Sequence, residues 1–150
     1  AAEQASFVLG QIQLLLTQGL SPREVAVFAR AAKHLKSVRE ALANAGHEIA
    51  SLSDNEDLAA ENGINLGTMH RAKGLEFKVV FVVDCNQGVV PYSYTLSKLR
   101  DQGDYDAAYA RERQLLYVAI TRARDEVFVT SVGKPSEFLT SSETSAESTP

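Results

Sequence analysis

The chain has 150 residues, 45% hydrophobic, 23% charged and 7% aromatic, the composition of one soluble globular domain rather than a disordered, fibrous or membrane-embedded chain. No apolar run approaches the roughly 18 to 20 residues that span a bilayer, and the first segment lacks the basic start and apolar centre of a signal peptide, so an intracellular, cytoplasmic domain with no membrane partner is expected. The lone Cys85 excludes an internal disulfide and a multi-cysteine zinc site, and the net charge of -4 argues, taken alone, against a generic nucleic-acid binder.

In chain order, Val8, Ile12, Leu15 and Leu16 recur at helical spacing between Glu3 and Gln18, with Gly19 placed as a stop. Ser21 and Pro22 mark a turn, and Val25 to Ala29 is a short apolar run of strand length. Leu35, Val38, Leu42 and Ala45 predict a second helix, ended by Gly46. His34 falls in that pattern on the expected exposed side, and His47 at the edge of a weak strand over His47 to Ala50. The segment from His47 to Glu61 then carries five acids and no Lys or Arg. Ile64 to Met69 predicts a buried strand and Val79 to Val83 another, apolar throughout and ended by Asp84. Residues after the Gly88 and Pro91 loop are too polar to assign until a helix from about Asp104 to Ile120, followed by a last strand over Glu126 to Ser131.

Strands alternating with helices, with continuous rather than alternating apolarity, predict an α/β domain whose mainly parallel sheet is flanked by helices. It is expected over residues 1–139, with a disordered tail at 140–150 that lacks core-forming side chains. The chain begins with Ala1, and its one methionine, Met69, lies mid-chain, so a piece of a longer protein is expected.

The global charge hides two basic windows: Arg71, Lys73 and Lys78 in one, Arg111, Arg113, Arg122 and Arg124 in the other, with only Glu76 and Glu112 as acids among them. The first is Gly67-Thr68-Met69-His70-Arg71-Ala72-Lys73-Gly74-Leu75-Glu76-Phe77, leaving one strand and entering the next. Gly74 permits a tight turn or close ligand approach, Arg71 and Lys73 suit phosphates, and Glu76 can accept hydrogen bonds from sugar hydroxyls. The alternative is a charged connection between two buried strands. The second window runs from Glu112 to Arg124 and delivers Thr121 and Arg122 at a helix end. Arg122 and Arg124 either recognise phosphate through the planar guanidinium or stabilise the negative end of the helix dipole.

No G-x-x-x-x-G-K-[ST] phosphate loop exists: Gly133-Lys134 is followed by Pro135. Asp84 has the position of a magnesium-organising aspartate without the loop that would accompany it. No grouping of His, Cys and acids has ligand spacing, so no metal site is expected within the chain.

At Thr68-Met69-His70-Arg71-Ala72-Lys73-Gly74-Leu75-Glu76-Phe77 and Leu116-Tyr117-Val118-Ala119-Ile120-Thr121-Arg122-Ala123-Arg124 the chain resembles motifs V and VI of the UvrD/Rep-type superfamily 1 DNA helicases. Val25-Ala26-Val27-Phe28-Ala29-Arg30 is similar to the strand that precedes them. The resemblance spans roughly residues 3–139 and implies the second, RecA-like three-layer motor domain, the one without the phosphate loop. It implies that Arg122 is the catalytic arginine finger on ATP held by the N-terminal RecA-like domain, and that Glu76 contacts the ribose with Gly74 and Lys73 shaping that loop. It further implies that Thr68, His70 and Arg71 meet single-stranded DNA. Gln114 stands where the family often has a second arginine, and the span between His47 and Ile64 leaves no room for the large inserted domain of many members. ATP and Mg2+ would be bound mainly by the missing N-terminal domain, and the fragment alone would be inactive. A 3′ to 5′ motor working in DNA repair is what the resemblance implies. A helicase-nuclease segment and a non-enzymatic interaction module that kept the fold are the alternatives.

Overall fold

The computed structural model of the chain describes residues 1–52 and 62–140. Most of the acidic connection and the expected tail from 141 onward lie outside them. Five strands form one sheet, β1 (Val25–Ala29), β2 (Ile49–Ser51), β3 (Ile64–Thr68), β4 (Phe77–Val82) and β5 (Ala123–Val129), in the spatial order β2-β3-β1-β4-β5. Every pairing is parallel, so the mainly parallel expectation becomes a wholly parallel sheet. The helices are α1 (Ala2–Thr17), α2 (Lys36–Asn44), α3 (Ser93–Leu96), α4 (Gln102–Ile120) and α5 (Glu137–Thr140).

The apolar run Val25-Ala26-Val27-Phe28-Ala29 is the central strand, and all five of its residues are buried because both edges and both faces are covered. Val27 sits in register between Leu66 and Phe81. The strand period of two then sorts the side chains. Val25, Val27, Ala29, Phe81 and Val83 pack with Val8 and Ile12 of α1 and Val38 and Leu42 of α2. Ala26, Phe28, Val80 and Val82 pack on the opposite face with Met69 and with Leu116 and Ala119 of α4. Two cores on one sheet give three layers, each fully buried Val, Leu, Ile or Phe contributing roughly 1.5 to 3 kcal/mol.

Three departures from the sequence pattern have local causes. β5 begins at Ala123 rather than Glu126, because it pairs only with β4 and its exposed Arg124, Asp125 and Glu126 mask the signal of an edge strand. The unassigned polar stretch contains the single turn α3, anchored by buried Leu96. The second helix opens with a 3-10 turn over Ala32–Leu35, which leaves His34 half-buried rather than on the exposed side.

Asp84 leaves β4 in a left-handed conformation with φ of 52°. Gln4 of α1, 8% exposed, holds it there: Gln4 Nε2 donates to Asp84 Oδ1 at 2.7 Å, the Asp84 N–H donates to Gln4 Oε1 at 2.9 Å, and Thr130 Oγ1 donates to the same oxygen. Cys85 is fully buried as a small apolar residue, and that burial pushes its thiol up to about 12. No helix among the described residues is long and apolar enough to cross a membrane.

Candidate nucleotide and nucleic-acid interface

In a parallel sheet all strands leave at one edge, and that edge is where ligands gather. Here it collects Arg30 after β1, a 3-10 turn over Met69–Arg71 after β3, and the Gly88–Tyr92 loop after β4. The buried Met69 anchors the 3-10 turn in the core and leaves His70 and Arg71 outward. Gly67 is required just before it, because a Cβ there would lie 2.8 Å from Cβ of Leu52.

Arg30 and Glu112 form a bidentate pair at this edge: Nε donates to Oε1 at 2.9 Å and Nη2 to Oε2 at 2.7 Å. The Tyr92 N–H also donates to Glu112 Oε1 at 2.9 Å, and the Arg30 guanidinium faces the Tyr92 ring at 4.8 Å. Burial pushes the Glu112 carboxyl up, but the Arg30 fork and the Tyr92 N–H outweigh it and hold it below the ordinary carboxylate range. Beside the pair lies a cavity of about 460 Å³, walled by His70, Lys73 and Arg111 and floored by Met69, Leu115 and Val118. Burial and the Arg30 charge lower the His70 pKa against the opposing pull of Glu112, so the ring favours its neutral form. His34 packs edge-on against Tyr92, with ring centroids 6.3 Å apart. Burial lowers its pKa, and its Nδ1 lacks a hydrogen-bond partner among the described residues.

The chain then returns along the α4 side of the sheet. Gly74 turns with φ of 81°, a left-handed conformation that side chains rarely adopt, and Glu76 stands exposed at the amino end of β4. Arg122, immediately before β5, lies at that same edge, since the Phe77 N–H donates to its carbonyl at 2.9 Å. The Arg122 side chain folds over the end of α4: Nε donates to Val118 O at 3.0 Å, Nη1 to Leu75 O at 3.3 Å and Nη2 to Thr121 Oγ1 at 3.3 Å. All three acceptors are neutral. Arg124 is exposed, 3.7 Å from Asp125.

The residues singled out in the sequence therefore fall into two groups. Thr68, His70, Arg71 and Lys73 belong to the carboxyl edge and its cavity, whereas Gly74, Glu76 and Arg122 meet at the amino edge, 47 residues of sequence separating Leu75 from the arginine that bonds it. Sequence reasoning missed Arg30, Glu112, Tyr92 and the placement of His34. The available signal was Glu112, the sole acid in a basic window, and Arg30, a charge directly after an apolar strand.

A wholly parallel sheet between two helical layers, with charged loops at its strand ends, defines a RecA-like α/β domain. The chain belongs to the UvrD-like helicase C-terminal domain family, which it matches over residues 24–134. It is 41% identical over 98 residues to YjcD of Bacillus subtilis (strain 168), covering 65% of this chain and 12% of that protein. It is 34% identical over 91 residues to the ATP-dependent DNA helicase PcrA of Staphylococcus aureus (strain MRSA252), covering 61% of this chain and 12% of PcrA. The chain thus spans about an eighth of the length of these curated relatives. Its fold is similar to the crystal structure of the C-terminal domain of a possible DNA helicase from Lactobacillus plantarum WCFS1, with a TM-score of 0.61 and 23% identity, covering 89% of this chain and 70% of that one.

Proposed function

We propose that this chain is the second motor domain of an ATP-dependent DNA helicase or translocase moving 3′ to 5′ on single-stranded DNA, with residues 1–139 as the working domain. The observation that carries the reading is the position of Arg122. It is fixed at the end of a long helix, beside the Glu76 segment, and among the described residues its guanidinium bonds neutral acceptors. An arginine so placed can reach the γ-phosphate of ATP held by a preceding RecA-like domain and stabilise the charge that develops on the transferred phosphoryl oxygens, an effect that contributes about 10³ to 10⁵ in rate.

Glu76, exposed and adjacent, accepts hydrogen bonds from the nucleotide ribose and Gly74 shapes the approach, while Lys73 lines the cavity at the other edge. Thr68, His70 and Arg71 meet the DNA backbone at the other edge, where a neutral His70 donates or accepts a hydrogen bond without adding charge. Mg2+ bound with the nucleotide would neutralise charge on the phosphates, and the described residues hold no group of three His, Cys or acids to ligate it, so its ligands are assigned mainly to the preceding domain.

The isolated chain, mixed with ATP, Mg2+ and single-stranded DNA, is expected to show no turnover above background, whereas the parent protein is expected to hydrolyse ATP in a DNA-stimulated manner. Robust turnover by the isolated chain, or a parent indifferent to DNA, overturns the reading.

A further inference from the structure

We propose that Arg30 and Glu112 are a positioning pair that locks the DNA-facing edge to the helix that leads into Arg122, and thereby makes ATP hydrolysis respond to DNA; this rests on the function proposed above. Glu112 is 5% exposed, and the Arg30 side chain is 12% exposed. A buried ion pair is weak evidence for stability, since its desolvation offsets much of the attraction, but it fixes geometry. Here it fixes a great deal. The two residues are 82 apart in sequence and join the end of β1 to the middle of α4 through two parallel hydrogen bonds.

Tyr92, from the loop after β4, is held twice by the same pair, its N–H on Glu112 Oε1 and its ring under the Arg30 guanidinium. Glu112 thus accepts from Arg30 twice and from Tyr92 once, which holds both charged groups in the frame. His70 and Lys73 line the same cavity as the pair. From Glu112, α4 continues for eight residues to Ile120, about 12 Å of rigid helix at 1.5 Å per residue, and Arg122 follows just past its cap Thr121. A load on His70 or Tyr92 that shifts the Glu112 anchor is carried along this helix to the arginine.

The test uses the parent protein and an oligo(dT) strand, with basal and DNA-stimulated ATP turnover measured together. Glu112→Gln keeps an acceptor for Tyr92 and removes the charge; Arg30→Lys keeps the charge and removes the fork. Each is expected to leave basal turnover within about twofold and to reduce DNA stimulation by roughly tenfold, in the usual range of a coupling between sites. The double variant is expected to be no worse than either single, because the two groups act as one unit. Unchanged stimulation, or basal and stimulated turnover falling by the same factor, overturns the pair's positioning role. Loss of stimulation in the unmodified parent overturns instead the helicase reading on which it rests.

Discussion

The Arg122 guanidinium donates to two backbone carbonyls and a hydroxyl, each a neutral acceptor. In these bonds only the donor is charged, whereas in a bond to phosphate both partners are, so the side chain gains by exchanging these acceptors for a phosphoryl oxygen. The same comparison explains why Glu112 is not available for exchange, its partner being a buried cation. His34 gives a separate prediction at this scale. Its pKa is lowered chiefly by burial against Tyr92, with Lys33 and Arg30 adding to the effect and Asp84 opposing it. A lowered folded-state pKa means that the unfolded chain takes up the proton first. The stabilising contribution of the neutral ring is therefore full above the ordinary value near 6.5 and is lost as pH falls below it toward the folded-state value. Thermal melts are expected to move down between about pH 6.5 and 5.5 in the parent sequence and by less in His34→Phe, which keeps the ring contact; equal shifts in both would contradict this.

Among the elements, the clearest apolar runs were legible from sequence alone: Val25–Ala29 is β1 over its whole predicted length, and α4 ends at Ile120 as the periodicity predicts. The elements that escaped did so because their stability is tertiary. β5 carries Arg124, Asp125 and Glu126 on an edge that solvent tolerates, and α3 is four residues held by Leu96. The pairing of Arg30 with Glu112 was invisible for the same reason, since no local pattern reports a partner 82 residues away, whereas the loop motif from Thr68 to Phe77 is contiguous and could be read directly. α1 is fastened by one residue of this long-range kind. Gln4→Ala would leave the Asp84 N–H and carboxylate and the Thr130 hydroxyl without that partner, and is expected to cost about 1 to 3 kcal/mol in urea unfolding. Gln13→Ala, exposed on the same helix, serves as the neutral control. Equal midpoints for the two variants would show that the Gln4 bridge contributes nothing.

For the molecule as a whole, the net charge of -4 would have pointed away from nucleic acid, yet Lys73 and Arg111 gather around one cavity and Arg122 stands at the opposite edge beside Glu76. A surface divided in this way suits a domain that shares two ligands with a neighbour, DNA along one edge and nucleotide at the other, with α4 spanning the distance between them. Family membership fixes the fold, and the chain spans about an eighth of the length of its curated relatives. The central claim is that Arg122 acts across a domain cleft on ATP bound elsewhere. Its most direct test is steady-state ATP turnover of the parent protein on single-stranded DNA, compared with Arg122→Ala, with ATP affinity measured in parallel. A fall in turnover of about 10³ or more is expected, with affinity changed by only a few-fold; turnover equal to that of the unmodified protein would remove Arg122 from the reaction.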